Sequence, residues 1–200
     1  MQSCHSCQIT ALQNCTYTPM VTSEVHPPRT HVYIDICTVG DDGNGVRDAL
    51  MVRDGASGLY VPYPLLDTTA VTITETLEHG WFAMFGVPDV VTSDNGPQFT
   101  SNMFQEFIDN LGIKHITTST YHPQSDLAES AIKLFKNALR RILVENPDDC
   151  DWTRHIPRIV AAHATTRSEA IGTTRSQSSC RRNRAVEYQA ERSTIPRTRR

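Results

Sequence analysis

The feature that most constrains this chain is a change of hydrophobic period near Thr68, from alternation to a recurrence every three or four residues. In HVYIDIC, residues 31–37, Val32, Ile34 and Ile36 alternate with Tyr33, Asp35 and Cys37. That pattern predicts a strand with Asp35 on the face opposite the three aliphatics. DDGNG at 41–45 is a turn signal, and ALMV at 49–52 and LYVPYPL at 59–65 read as two further strands, antiparallel to their neighbours. After Thr68, Ala70, Ile73, Leu77, Trp81 and Phe85 share one helical face, and Gly86 with Pro88 beyond it stops the helix. The strand VPDVVTS runs into Asp94. A helix over 101–111 carries the stripe Met103, Phe104, Phe107, Ile108 and Leu111, with Gly112 as its left-handed stop. IKHITT, 113–118, is the next strand. The polar loop STYHPQSD leads into a helix from Leu127 to Val144, whose buried face is Ala128, Ile132, Phe135, Leu139 and Ile142. Three strands, then helix, strand, helix, strand, helix, make an α/β arrangement around a mixed sheet.

The ends differ from this middle. Residues 1–30 are polar, close on Pro27-Pro28 and read as a linker or the end of a preceding module. After Asn146 the pattern weakens to one further helix near 152–164 carrying Pro157, then to an Arg- and Ser-rich tail. The 200 residues give room for one main core. The expected division is a linker over 1–30, a core over 31–164 and a basic, disordered tail over 165–200. The apolar stretch around 70–87 is broken by Glu75, Glu78 and His79, and MQSCHSCQ lacks a basic-then-apolar leader, which argues against a membrane span and a secretory signal. Six Cys at irregular spacing without an export signal predict reduced thiols.

Charge is uneven along the chain. Residues 1–130 hold 4 Lys+Arg and 15 Asp+Glu, whereas residues 131–200 hold 15 and 7. A basic final third suits a polyanionic partner; an acidic first part repels one unless its carboxylates are neutralised by metal. Asp35 lies mid-strand, Asp94 ends a strand, and Glu129 falls in the first turn of a helix. Three acids on separate elements can converge at one edge of the sheet, although an Asp in a strand can equally cap or pair. Unpaired carboxylates held together raise one another's pKa, and a divalent cation removes the conflict. Hard oxygen donors on rigid elements suit magnesium or manganese, and two such ions assist phosphoryl transfer. Asp54 and Asp126 read as surface acids.

The surroundings of these acids are more specific than their spacing. GVPDVVTSDNGPQFTS (86–101), GIKHITTSTYHPQSDLAES (112–130) and KLFKNALRRIL (133–143) strongly resemble the catalytic core of integrases from retroviruses and gypsy-type LTR retrotransposons, over about His31 to Ala164. The resemblance implies a ribonuclease H-like fold, a mixed five-stranded sheet flanked by helices. It implies a catalytic and metal-binding triad of Asp35, Asp94 and Glu129, with Asp35 bridging two Mg2+ (or Mn2+) ions and the other two each completing one site. The implied activity is DNA integration by a polynucleotidyl transferase that trims 3′ DNA ends with water and joins the freed 3′-hydroxyl to target DNA. The implied partners are element and target DNA and further copies of the chain, and the implied location is the nucleus. Lys133 and Lys136 match positions that contact element DNA in the family. With Glu129 and Arg140 they line one helix face, and Tyr121, His122, Gln124 and Ser125 of the loop are further candidates for touching DNA. Ribonuclease H-type hydrolysis of a hybrid duplex shares the fold but not the SDNGPQF and YHPQS surroundings.

The match has gaps. The family's loop places a Gly shortly before the Glu, but here Asp126 is followed directly by Leu127, so a hinge free to adopt positive φ is lost. The family's N-terminal zinc module has two His before a CxxC. Cys4 and Cys7 supply the CxxC with only Met1, Gln2 and Ser3 ahead of them, so half a site remains and structural Zn2+ is not expected. GTTRSQSSCRR, 172–182, has Arg175 in place of Pro, and Ser178 and Ser179 in place of two Leu; the loss of that apolar burial predicts a frayed last helix. These departures motivate the alternative of a truncated or degenerate copy that binds nucleic acid without catalysis.

Overall fold

A computed structural model describes residues 27–118, 125–147, 149–166 and 174–175. Five strands form one sheet: β1 His31–Thr38, β2 Asp48–Asp54, β3 Tyr60–Leu65, β4 Val90–Ser93 and β5 Lys114–Thr117, in the order β3-β2-β1-β4-β5. β1, β2 and β3 are joined antiparallel, while β4 runs parallel to β1, and β5 to β4. The mixed sheet is thus built as the hydrophobic pattern requires.

Alternation along β1 decides which residue meets which layer. Val32 and Ile34 pack with Leu50, Val52 and Val91 under the first helix, α1 (residues 70–85), and α3 (Asn102–Asn110). Cys37 faces the other side, with Met51, Tyr60 and the long helix α4 (Ser125–Glu145). α4 starts two residues before the expected Leu127, and Ala131 joins Phe135 and Leu139 on its fully buried stripe. A turn of 3₁₀-helix at Thr153–His155 leads into α5 (Ile156–Thr165), with Pro157 in the first turn, where its missing N–H is no loss. Trp152 anchors this segment: its indole Nε1 donates to the Gly40 carbonyl at 2.8 Å and its ring meets Phe135 edge-on.

The structure departs from the sequence pattern at three places. α1 is not regular: Ala70–Thr76 and Ala83–Phe85 are α-helical, but Leu77–Phe82 forms a π-helix. Apolar residues four apart drift by about 40° per step in a straight α-helix. The wider π turn takes up that drift, so Ile73, Leu77 and Trp81 all stay fully buried. A short helix α2 (Pro97–Thr100) also precedes α3, and on α3 only Phe104 and Ile108 are buried, with Met103 42 % and Leu111 40 % exposed. Leu111 has already left the helix as its C-cap, before Gly112 turns the chain at φ 67°. Finally, Asp54 is not a surface acid. It is 0 % exposed at the end of β2, where its carboxylate accepts from the Arg29 amide at 2.7 Å, the Ser57 amide at 2.9 Å and the Ser57 hydroxyl. Burial of a carboxylate is tolerated there because donors surround it.

Cys37 is a buried free thiol and Cys150 an exposed one. Among the described residues no helix is long and apolar enough to cross a membrane.

Candidate active site

The parallel pairing of β1 and β4 brings two acids to one level. Tyr33 is the partner of Thr92, and the same register continued by two residues sets Asp94 beside Asp35. Asp35 projects from β1 on the side that α4 covers; Asp94 lies just past the end of β4 and is exposed. Glu129 is in the first turns of α4, next to Ala128, which packs on Tyr33. Tyr33, Asp35, Thr92, Asp94, Thr118 and Ala128 line a cleft at this edge of the sheet.

Asp35 feels both its burial and the charges of the other two acids. Burial pushes the Asp35 carboxyl up to about 6; the Ile36 amide, donating to Oδ1 at 2.7 Å, opposes the rise, and the charges of Asp94 and Glu129 add to it. This is the repulsion that like charges in one site create. Among the described residues no three His, Cys, Asp or Glu side chains approach closely enough to hold one ion. Glu129 instead makes a 2.9 Å ion pair with Lys133 one turn on, both more than half exposed. The donor chemistry nevertheless fits a hard divalent ion: three carboxylates on strand, strand end and helix, one of them destabilised as an anion.

The position of Asp94 is set from both sides. The Ser93 hydroxyl donates to the Asp94 carbonyl at 2.8 Å, the Thr118 amide donates to the Ser93 carbonyl at 2.9 Å, and the Gly96 amide donates to Asp94 Oδ1 at 3.0 Å. A Cβ on residue 96 would collide with Gln98 Nε2 and stand 3.0 Å from Asp94 Oδ1, so a larger residue there would make both side chains shift. Behind Ser93, His115 and Gln105 complete a hydrogen-bonded row to α3. Arg53 of β2, which carries no motif, donates through Nη1 to the Leu127 carbonyl and the Ser130 hydroxyl of α4. Neither His115 nor Arg53 was legible as a site residue; both act through contacts made only when distant segments meet.

Of the basic face of α4, Lys133 and Arg140 are exposed, and Arg140 donates to Asn137 Oδ1 at 3.3 Å. Lys136 is half-buried and near Cys37: burial pushes that thiol up to about 11 and the Lys136 charge pulls it back. Ser125 is the first residue of α4. Tyr121, His122 and Gln124, the CxxC of Cys4 and Cys7, and nearly all of the 165–200 tail, with its expected frayed helix, lie outside the described residues. Arg175 is described, and its Nη1 donates to the Thr166 carbonyl at 3.4 Å.

Residues 25–123 match the family described as integrase core domain. The chain is 28 % identical over 160 residues to the Gag-Pol polyprotein of Feline leukemia virus, covering 80 % of this chain and 9 % of the polyprotein. It is 32 % identical over 133 residues to the Pol polyprotein of Radiation murine leukemia virus (strain Kaplan), covering 66 % of this chain and 23 % of that one. It therefore spans a tenth to a quarter of these relatives' length. Among solved structures, the HTLV-2 integrase catalytic core domain in complex with magnesium superposes with a TM-score of 0.61 at 24 % identity, over 75 % of this chain and 95 % of that one. The catalytic core domain of BIV integrase does so with a TM-score of 0.62 at 19 % identity, over 80 % and 99 %. The simian T-cell lymphotropic virus intasome in complex with the PP2A regulatory subunit B56 gamma gives 0.67 at 22 % identity, over 99 % and 66 %. The structural likenesses show the ribonuclease H-like fold, and over residues 25–123 the sequence matches the integrase core domain family, with retroviral Pol polyproteins among its relatives.

Proposed function

We propose that this chain is a divalent-metal-dependent polynucleotidyl transferase of DNA integration, with residues 31–164 as its catalytic unit. The observation that carries the reading is the placement of three carboxylates at one edge of the sheet, Asp35 on β1, Asp94 just past the parallel strand β4 and Glu129 in the first turns of α4. The substrates are element and target DNA: water removes nucleotides at a 3′ end, and the freed 3′-hydroxyl attacks a target phosphodiester. Asp35, Asp94 and Glu129 would hold Mg2+ or Mn2+, which supplies the positive charge that activates the attacking oxygen and stabilises the leaving one. The chain's own part is positional. Asp35 and Asp94 hang from adjacent strands, Gly96 turns the Asp94 carboxylate, and Lys133, Lys136 and Arg140 present positive charge to phosphates. Tyr121, His122, Gln124 and Ser125 complete the DNA contacts in this reading. No covalent enzyme intermediate is required. Joining two DNA ends in concert calls for more than one copy, and the work would be done in the nucleus.

A joining and cleavage assay on labelled blunt and branched DNA, with magnesium or manganese, tests this. Wild type should break and join phosphodiesters, and Asp94→Asn and Glu129→Gln should not while remaining folded. Activity that survives both substitutions would remove the triad. A second reading is favoured by the Glu129–Lys133 ion pair, which holds the third acid on its own helix: a descendant that binds nucleic acid without catalysis. It predicts DNA binding that needs no metal, with folded protein and no reaction.

A further inference from the structure

We propose that Arg53 is a positioning residue for the candidate active site: it fixes the first turns of α4, and through them Glu129, against the strand that carries Asp35. The inference rests on the reading of Glu129 as one of the site's carboxylates. Arg53 is the cross-strand partner of Tyr33 on β1, as Met51 is the partner of Asp35. It therefore stands on the face of the sheet that α4 covers, two residues along from the neighbour of Asp35.

The contact is made at a telling place. Guanidinium Nη1 donates to the carbonyl of Leu127 and to the hydroxyl of Ser130, and that hydroxyl donates in turn to the same carbonyl at 2.9 Å. Leu127 and Ser130 flank Glu129 in sequence, so a closed three-way contact brackets the turn that bears the carboxylate. Further along α4, Ala131, Phe135 and Leu139 are embedded among Met51, Tyr60 and Trp152. At its start, the packing is a small cluster of Leu127 and Ala128 on Tyr33. Apolar contact of that kind resists separation but resists rotation about the helix axis weakly. A charged planar donor reaching a backbone carbonyl and a side-chain hydroxyl at once has direction as well as attraction, and sets that rotation. Rotation is the variable that decides whether Glu129 points along the sheet edge toward Asp35 or outward.

Affinity for manganese alone, read by water-proton relaxation on the full chain, tests the proposal without relying on turnover. Arg53→Met should weaken it by roughly 10-fold, the range in which partners of metal ligands act. Arg53→Lys, which keeps the charge and the stem but not the fork, should fall between wild type and Arg53→Met, and covers the case in which Arg53→Met does not fold. On a Glu129→Gln background, Arg53→Met should add no further loss, because its effect passes through Glu129. Unchanged affinity in both Arg53 variants, or the same loss with and without Glu129, overturns the positioning role and leaves the site reading standing. Unchanged affinity in Glu129→Gln overturns the site reading, and this inference with it.

Discussion

The imidazole of His115 lies 2.9 Å from the hydroxyl of Ser93, the residue before Asp94, and the direction of that bond can be worked out from its neighbours. Gln105 Nε2 donates to the Phe99 carbonyl at 2.8 Å, so it must also donate, at 2.9 Å, to His115 Nδ1. The proton of the ring is then on Nε2 and is given to Ser93, whose own proton goes to the Asp94 carbonyl. Ser93→Ala breaks this row and leaves the half-buried His115 N–H without its acceptor. We expect a loss of about 1–3 kcal/mol in urea denaturation. Metal-dependent DNA cleavage should drop roughly 10-fold, since the carbonyl of Asp94 loses its support.

Asp35→Asn should stabilise the protein in metal-free buffer near neutral pH. It removes one member of a set of repelling carboxylates and a half-buried anion that burial disfavours. Thermal melts with a chelator should give the variant the higher Tm. Adding magnesium should raise the Tm of wild type and leave that of Asp35→Asn in place, because anything that binds only the folded form stabilises it.

Lys133→Ala should weaken DNA binding to a similar extent for all sequences, as expected of an exposed cation on the face of α4 that also bears Glu129. The slope of log affinity against log salt concentration should become shallower by about 0.9 if one phosphate contact is lost. An unchanged slope would remove Lys133 from the DNA face.

Stability should fall on acidification through His163. Its Nε2 donates to the Gly58 carbonyl at 2.9 Å and its ring lies 4.1 Å from that of Tyr60. Burial pushes it from 6.5 down to about 4; the bond to Gly58 opposes this, and the charges of Arg175 and Arg53 add to it. Between these two values the unfolded chain binds the proton and the folded chain does not, so its stabilising contribution is complete above pH 6.5 and is lost as pH falls toward about 4. Denaturation curves over this window should be flatter for His163→Gln than for wild type.

Asp54→Ala should cost about 2–4 kcal/mol, since it leaves the buried amides of Arg29 and Ser57 without their acceptor. Asp54→Asn should cost less, retaining one oxygen. Both are read by urea midpoints, with binding of manganese unchanged.

Asp54 also shows where the sequence runs out. Asp35 and Asp94 were legible because strand alternation and the SDNGPQF run fix their places, and Glu129 because its helix and the preceding YHPQS are distinctive. Asp54 sits in a stretch, RDGASG, that reads as an exposed turn, and nothing local reveals that the amide of Arg29, 25 residues earlier, returns to cover it. Arg53 and His115 were hidden for the same reason. The π-helical stretch of α1 is hidden differently: the four-residue spacing of Ile73, Leu77 and Trp81 reads as an ordinary helix, whereas a repeat of four is kept in phase by a wider turn.

The shared register of β1 and β4 has a mechanical consequence. Asp35 lies on β1 and Asp94 follows directly on β4, and the ladder between these two strands keeps a spacing of about 4.8 Å that resists change. Glu129 belongs to a helix held to the sheet by side-chain packing and the Arg53 contact rather than by a strand ladder. Two of the three acids therefore share one backbone frame while the third is set by side chains, so the gap between them is most readily altered by substitutions on the α4 side.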